Sequence, residues 1–165
     1  MNKISCSPAE FAGLSAELLR LGKVVRFQAR GNSMQPLLRD GDILSVSPVD
    51  FDQIRIGDVI MCSSHSGCIV VHRVILRKNK FEQNQLLVKG DQAEKPDGWI
   101  NSSQIYGRVA AFERQGNKVA LDSLIMKTLG LMAVLNSRKA ILSKGIPHRT
   151  IQWVKKLRLF YWYLF

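Results

Sequence analysis

Short runs of β-forming residues, separated by turn signals, dominate the middle of this 165-residue chain. Clusters such as Arg39-Asp40-Gly41-Asp42 and Pro96-Asp97-Gly98 interrupt the runs, and glycine, aspartate and proline in such clusters favour tight turns. Strands this short and this closely spaced are typical of a small β-barrel or β-sandwich. The runs cover residues 24–29, 43–47, 58–62, 68–76, 85–88 and 105–113. The sequence therefore predicts a mainly β domain between residues 23 and 118.

A helical pattern precedes the β-rich region. Ser7, Pro8 and Glu10 predict a helix start, because serine caps the first turn, proline suits the first helical position and glutamate can bond back to the cap. Apolar residues then recur at helical spacing, namely Phe11, Leu14, Leu18 and Leu21. Gly22 offers an end to this helix.

The residues after 118 differ from the β-rich region, because helical spacing returns. Apolar positions predict a helix that Gly130 weakens, namely Leu124, Ile125, Leu129 and Met132. Gly145 and Pro147 interrupt the pattern, and Thr150 is suited to cap a further helix. The predicted regions are an N-terminal helix over residues 1–22, a β domain over 23–118 and a basic helical extension over 119–165.

Positive charge is concentrated in the C-terminal extension. The net charge of the chain is +11; residues 1–113 hold 14 basic and 12 acidic side chains, whereas residues 114–165 hold 10 and 1. A segment this basic favours anionic partners, such as a lipid surface, nucleic acid or an acidic peptide or protein. Nucleic acid is the least favoured of these partners, because no recognised nucleic-acid-reading module accompanies the charge.

Residues 159–165, Leu-Phe-Tyr-Trp-Tyr-Leu-Phe, are all apolar or aromatic. Aromatic residues close to Lys and Arg are typical of a segment at a membrane interface, so one interpretation is peripheral contact with an anionic membrane through the C-terminal tail. An equally open interpretation is that they pack onto the barrel. Residues 1–22 lack the apolar core of a signal peptide, and no run of about 18–20 uninterrupted apolar residues follows, so we expect neither a signal peptide nor a transmembrane anchor. We therefore expect a cytoplasmic protein, peripheral at most at the inner membrane surface.

Cysteine and histidine content argues against a disulfide scaffold and against a metal centre. Cys6, Cys62 and Cys68 are an odd number of cysteines without dense spacing, which suits a reducing compartment. Cys62, His65, Cys68 and His72 are close along the chain, but the spacing of the two cysteines matches no common zinc motif. We predict no metal and no cofactor.

The stretch Gly31-Asn32-Ser33-Met34-Gln35-Pro36-Leu37 is the most informative for chemistry. A serine between a glycine and a proline can present its hydroxyl on a rigid turn, although a serine in a turn is usually only a turn residue. The motifs that follow give Ser33 more weight. They are Arg39-Asp40-Gly41-Asp42, Ile56-Gly57-Asp58, Val70-Val71-His72-Arg73-Val74 and Val88-Lys89-Gly90-Asp91, with Asp97 six residues later.

This ordered series of motifs, which extends over roughly residues 24–112, resembles the type I signal peptidases, whose fold is shared by the self-cleaving LexA-type repressors. Most bacterial enzymes and repressors of that superfamily use a lysine base. The endoplasmic-reticulum, archaeal and SipW-like branch carries histidine on the equivalent strand, and His72 is similar to that branch. The resemblance implies a β-barrel or β-sandwich of the LexA and signal-peptidase type, to which the sequence pattern adds the N-terminal helix and the basic C-terminal helical tail.

The resemblance also implies roles for individual residues. Ser33 would be the nucleophile and His72 its general base, and this agrees with chemistry, because a serine hydroxyl needs a base to accept its proton. Asp97 would orient His72 with Asp91 in support, although the two aspartates could exchange roles. Asp42 and Asp58, which follow glycines in turns, are assigned structural roles.

The neighbours of Ser33 are expected to contact the substrate: Gly31, Asn32 and Met34. Some family members carry a hydroxyl two residues before the serine, where this chain has Gly31. Backbone N–H groups are therefore expected to hold the oxyanion. The substrate peptide is expected to pair as an added β-strand.

The function we expect is that of a serine endopeptidase whose partner is a leader or precursor peptide, or a preprotein. The transmembrane anchor usual in type I signal peptidases has no counterpart in this sequence, so substrate and compartment stay open. One alternative is a self-cleaving regulator. Ala12-Gly13 resembles the bond that such repressors cut, but it falls inside the predicted helix, and the residues before Lys23 leave no room for a DNA-reading domain. Another alternative is a non-catalytic module that binds peptides or membranes.

Overall fold

A computed structural model of the chain describes residues 7–64, 67–80 and 83–142. These residues form eight strands, β1 (Val25–Gln28), β2 (Ile43–Ser47), β3 (Val59–Ser63), β4 (Ile69–Lys80), β5 (Gln83–Lys89), β6 (Gly98–Asn101), β7 (Ile105–Arg114) and β8 (Asn117–Ala120). They also form the helices α1 (Pro8–Arg20) and α2 (Leu124–Leu142), and two 3-10 turns, Phe51–Gln53 and Ser102–Gln104.

The eight strands form one antiparallel sheet in the order β1-β2-β7-β3-β4-β5-β6, with β8 paired to β7. The mainly β fold that the sequence predicts is therefore confirmed. Strand β2 has the predicted bounds, whereas β4 and β5 are longer than predicted because polar residues continue their pairing beyond the apolar run. Strands β6 and β8 were not predicted. Each has four residues, and these include glycine, asparagine or lysine, so neither forms a run of β-forming residues.

Strand β3 is buried on both faces and separates two parts of the core. Successive side chains of a strand point to opposite faces, so Met61 and its neighbours Ile60 and Cys62 enter different clusters. Met61 packs with Leu44, Val46, Val109 and Phe112. Ile60 and Cys62 pack with Val74, Leu86, Val88 and Ile100. A strand covered on both faces explains the continuous apolar run of β3.

Helix α1 begins as the sequence predicts. The hydroxyl of Ser7 accepts a hydrogen bond from the Glu10 N–H (3.3 Å), and the Glu10 carboxylate accepts one from the Ser7 N–H (2.7 Å), which forms a capping box. The ring of Phe11 meets that of Phe27 edge-on at 5.1 Å, and Leu19 is buried against the same core as Met61. These contacts fix α1 on the β domain.

Helix α2 continues through Gly130, the residue predicted to weaken it. A side chain there would come within 3.1 Å of the Arg73 guanidinium and of the Gly57 carbonyl oxygen, so glycine allows the helix to approach the sheet. Val134 completes this contact by packing with Ile75 and Leu87. The predicted cap at Thr150 and residues 159–165 lie outside the described residues.

No helix within the described ranges is long and apolar enough to cross a membrane.

The segment that carries Ser33 is tied to strand β7 by a buried ion pair. Arg114 donates two hydrogen bonds to the Asp42 carboxylate (2.9 and 2.6 Å) and a third to the carbonyl oxygen of Leu37 (2.9 Å). Asp42 also accepts from the Arg39 N–H (2.8 Å) and is only 3% exposed. The structural role predicted for Asp42 is thus visible in its contacts.

Replacing Asp42 with asparagine should lower the free energy of unfolding by about 3 kcal/mol, because the Arg114 guanidinium would lose its buried counter-charge. Chemical denaturation followed by circular dichroism measures this change. The matched control is Glu113→Gln, which removes the exposed pair between Glu113 and Arg26 and should cost less than about 1 kcal/mol. Equal losses in the two variants would contradict the role given to Asp42.

Candidate active site

Ser33 lies in a turn whose backbone is held by its neighbours. Gly31 has a φ of +90°, a conformation that favours glycine, and its N–H donates to the Asp40 carboxylate (2.8 Å). The Gln35 N–H donates to the Asn32 carbonyl oxygen (3.1 Å), and the side chain of Met34 is buried in the core. The turn is therefore fixed at both sides of the serine.

His72 reaches this turn from strand β4. It lies opposite Ile60 of β3 in the sheet, is 7% exposed, and brings its Nε2 to 3.0 Å from the Ser33 Oγ. The two residues are 39 positions apart in sequence, and only the pairing of β3 with β4 and β7 brings them together. The proximity on which the sequence-based hypothesis depends is present.

Asp97 lies on the other side of the imidazole. Asp97 directly precedes β6, and its N–H donates to the carbonyl oxygen of Val88 in β5 (2.9 Å). Its Oδ2 lies 2.5 Å from the His72 Nδ1. An ionised carboxylate can only accept, so this contact assigns the ring proton to Nδ1. The Nε2 is then the acceptor for the Ser33 hydroxyl, and the three side chains form one directed chain of hydrogen bonds.

Asp91 has a different partner from Asp97. Its two carboxylate oxygens accept from the Nε and Nη2 of Arg73 (2.7 and 2.6 Å), and Arg73 also donates to the Gly57 carbonyl oxygen (2.7 Å). Arg73 and Asp91 are almost fully buried, with side-chain exposures of 3% and 8%. Asp97, the aspartate that the sequence analysis favoured for orienting His72, contacts the imidazole, and Asp91 neutralises the arginine next to it.

Gly90 leaves the space that Ser33 and His72 occupy. A side chain at this position would lie 2.8 Å from the Ser33 carbonyl oxygen and 3.1 Å from the His72 Nε2. The same backbone segment is bonded to the serine turn, because the Gln92 N–H donates to the Ser33 carbonyl oxygen (2.8 Å). In the sequence, Gly90 is recognisable only as part of the Val88-Lys89-Gly90-Asp91 motif. Its position between Lys89 and Asp91 shows no signal for this close approach.

Two further buried groups lie in the electrostatic environment of the site. Lys89 donates to the Gly90 carbonyl oxygen (3.1 Å) and to the Ser137 hydroxyl of α2 (3.4 Å). Burial lowers the pKa of Lys89, and the charges of Asp91 and Asp97 oppose that shift. Burial raises the pKa of the Cys62 thiol to about 12, and the charge of Asp97 adds to the increase. Cys62 is therefore an inert core thiol, unlike a reactive cysteine.

The residues predicted to bind substrate lie around the serine but differ in exposure. Gly31 and Asn32 are exposed, and Asn32 accepts a hydrogen bond from the Gln35 side chain (2.6 Å). Met34 is only 4% exposed, so its side chain lies in the core rather than on the surface that a peptide would meet.

The part of the chain that the structure describes contains no group of three or more metal-ligating side chains. His65, one of the four residues considered for a metal site in the sequence, lies outside it.

A comparison with protein-family models matches residues 9–110 to the family described as Peptidase S24-like. The chain belongs to the Peptidase S24-like family. The matched span is more than half of the chain and contains Ser33, His72, Asp91 and Asp97. Membership places this S24-like peptidase in the LexA and signal-peptidase superfamily, as its motifs predict. A search among curated proteins finds no match.

Replacing Gly90 with alanine should lower the peptidase rate by about 100-fold or more, because the methyl group would displace the serine turn from the imidazole. Mass spectrometry of a peptide library incubated with each variant measures the rate. Gly13→Ala is the matched control, since a side chain at Gly13 in α1 meets no atom within 4 Å. Equal rates in the two variants would show that the contact at Gly90 is unimportant.

Proposed function

We propose that this S24-like peptidase is a serine endopeptidase of the histidine-type branch, which cleaves a leader or precursor peptide. The observation that carries the proposal is the continuous chain of hydrogen bonds from Ser33 through His72 to Asp97. A serine, an imidazole and a carboxylate in this order are the arrangement that nucleophilic peptide cleavage requires.

In the first step the Ser33 Oγ attacks the carbonyl carbon of the scissile bond, and the hydroxyl proton passes to the His72 Nε2. The Asp97 carboxylate stabilises the imidazolium through Nδ1. The tetrahedral intermediate then collapses, the C–N bond breaks, and His72 gives its proton to the leaving amine. The products of this step are an acyl ester on Ser33 and the C-terminal fragment with a free amine.

In the second step a water molecule attacks the ester carbonyl carbon while His72 accepts one of its protons. The C–O bond to Ser33 breaks, and the serine oxygen regains a proton from the imidazolium. The N-terminal fragment leaves with a carboxylate end. The peptide bond is thus hydrolysed and the enzyme is restored.

Backbone N–H groups near the serine are suited to stabilise the oxyanion. The Gly31 N–H is bonded to Asp40, so we assign this role to the N–H groups of Ser33 and Met34. A peptide that pairs as an added strand beside the turn would bring its carbonyl group to these donors.

The alternative of a self-cleaving regulator receives no support from the geometry. The Ala12-Gly13 bond lies within α1 (Pro8–Arg20), where the backbone is helical, whereas a peptidase of this kind takes its substrate extended. The alternative of a non-catalytic module does not explain why the imidazole bonds to both the serine hydroxyl and a carboxylate.

Replacing Ser33 with alanine should abolish cleavage without unfolding the protein, because Ser33 is exposed and its hydroxyl contacts His72 rather than the core. Peptide ends in cells that express the wild-type protein are compared by mass spectrometry with those in cells that express Ser33→Ala. New ends should appear only with the wild type. Ser103→Ala, at an exposed serine, is the matched control and should behave as the wild type. Cleavage that persists in Ser33→Ala refutes the proposed function.

Replacement of Asp97 should affect the cleavage rate, whereas replacement of Asp91 should affect the stability of the fold. Asp97→Asn should lower the rate by about 10²–10⁴-fold, because asparagine no longer selects the Nδ1-protonated imidazole. Asp91→Asn should instead lower the free energy of unfolding by about 3 kcal/mol, because it leaves the Arg73 guanidinium buried without its counter-charge.

Library cleavage and chemical denaturation of both variants measure the two effects. A large stability loss in Asp97→Asn with an unchanged rate would reverse the assignment.

A further inference from the structure

The inner face of α2 is fully used by contacts with the β domain. Gly130 packs on Arg73 and Gly57, and the Ser137 hydroxyl accepts from Lys89 (3.4 Å). Arg138 donates two hydrogen bonds to the carbonyl oxygen of Ile75 (3.1 and 2.9 Å). The orientation of the helix about its own axis is therefore fixed, and so is the face that it turns outward.

The outer face of α2 is mostly apolar; the exposed Thr128 also lies on it, and its hydroxyl donates to the Ile125 carbonyl oxygen of the same helix (2.7 Å). The apolar members of the outer face recur at intervals of 7, 8 and 11 residues and so lie on one side of a helix with 3.6 residues per turn. They are Leu124 (79% exposed), Ile125 (68%), Leu131 (50%), Met132 (47%) and Leu135 (57%). A surface helix normally turns charged and polar residues to solvent, so a helix that is apolar on both faces indicates a partner for the outer one.

Charge distinguishes between the possible partners. Lys127, the only charged residue between positions 124 and 135, borders the outer face, and its long side chain can extend from an apolar surface to a polar one. Residues 123–165 contain eight Lys and Arg and no Asp or Glu. A second copy of the chain would bring the same positive charge to the contact, which repels. A bilayer with anionic lipids offers both an apolar interior and negative head groups.

We infer that the outer face of α2, defined by Leu124, Ile125, Leu131, Met132 and Leu135, docks on an anionic lipid bilayer. The helix lies in the plane of the interface with its apolar side chains among the acyl chains, while Lys127 reaches the head groups. The basic residues that follow α2 in sequence, together with the aromatic residues 159–165, add attraction to the same surface. This docking surface is separate from the proposed peptidase chemistry and does not depend on it.

Binding of the full-length protein to vesicles tests this inference. The protein is mixed with vesicles of phosphatidylcholine that contain about 30% phosphatidylglycerol, and the vesicles are then sedimented. Pure phosphatidylcholine vesicles are the lipid control, because they separate apolar insertion from charge attraction. The double variant Leu124→Gln with Leu135→Gln should bind the anionic vesicles about tenfold more weakly than the wild type. Glutamine favours helices nearly as well as leucine, so α2 is preserved.

The matched control is Leu14→Gln with Leu21→Gln, which removes one exposed leucine from α1 (52%) and another from the residue that follows it (64%). It should bind like the wild type, within about twofold. Equal binding by the α2 variant and the wild type would overturn the inference and assign any lipid contact to the residues after 142. Binding to pure phosphatidylcholine that equals binding to the anionic vesicles would overturn it as well.

Sedimentation velocity without lipid tests whether a second copy of the chain covers the outer face of α2. A wild-type dimer that becomes monomeric in the α2 variant would show that a second copy covers this face, and would overturn docking on lipid. Cleavage of a soluble peptide library should be the same in the α2 variant and the wild type, because the replaced leucines are absent from the catalytic contacts. A failed peptidase hypothesis and a failed docking hypothesis are therefore distinguished.

Discussion

The site depends on the close approach of two backbone segments that are far apart in sequence. The turn around Ser33 and the segment after β5 meet where Gly90 has no side chain, and the Gln92 N–H bonds to the Ser33 carbonyl oxygen across the contact. This contact sets the distance between the serine hydroxyl and the imidazole. The imidazole itself is held in place by the antiparallel pairing of β3 with β4. The Asp42–Arg114 pair holds the same turn from the opposite end. The geometry of the reacting groups is thus a property of the sheet and of two side-chain contacts.

Buried charge around the imidazole is arranged in compensating pairs. Arg73 and Asp91 neutralise each other, while Lys89 lies in the field of Asp91 and Asp97. Buried pairs of this kind contribute little net stability compared with apolar residues of similar size, but removal of one member is costly. We therefore interpret Arg73–Asp91 as a device that orients the segment carrying Gly90. Because Lys89 also reaches Ser137, the same cluster joins the site to α2.

The sequence predicted those parts of the fold that depend on local patterns. The capping box at Ser7 and Glu10 located α1, and the turn signals located β2 to within its observed bounds. The proximity of Ser33 to His72 came from a resemblance of ordered motifs, since no local rule places residues 39 positions apart in contact. The sequence favoured Asp97 over Asp91 as the partner of His72, but it gave no indication that Asp91 pairs with Arg73, because that contact depends on which side of the strand pair each carboxylate faces. The tight space at Gly90 and the contact of Gly130 with Gly57 are tertiary features without a sequence signal.

The central claim is that Asp97 orients the His72 imidazole so that its Nε2 accepts the Ser33 proton. Nitrogen-15 NMR of histidine-labelled protein, with His72 assigned from the spectrum of His72→Gln among the three histidines of the chain, reads the position of the ring proton directly. We predict that the singly protonated His72 ring carries its proton on Nδ1 and leaves Nε2 unprotonated, and that this tautomer preference is lost in Asp97→Asn. A proton on Nε2 in the wild-type protein, or a tautomer unchanged in Asp97→Asn, would contradict it.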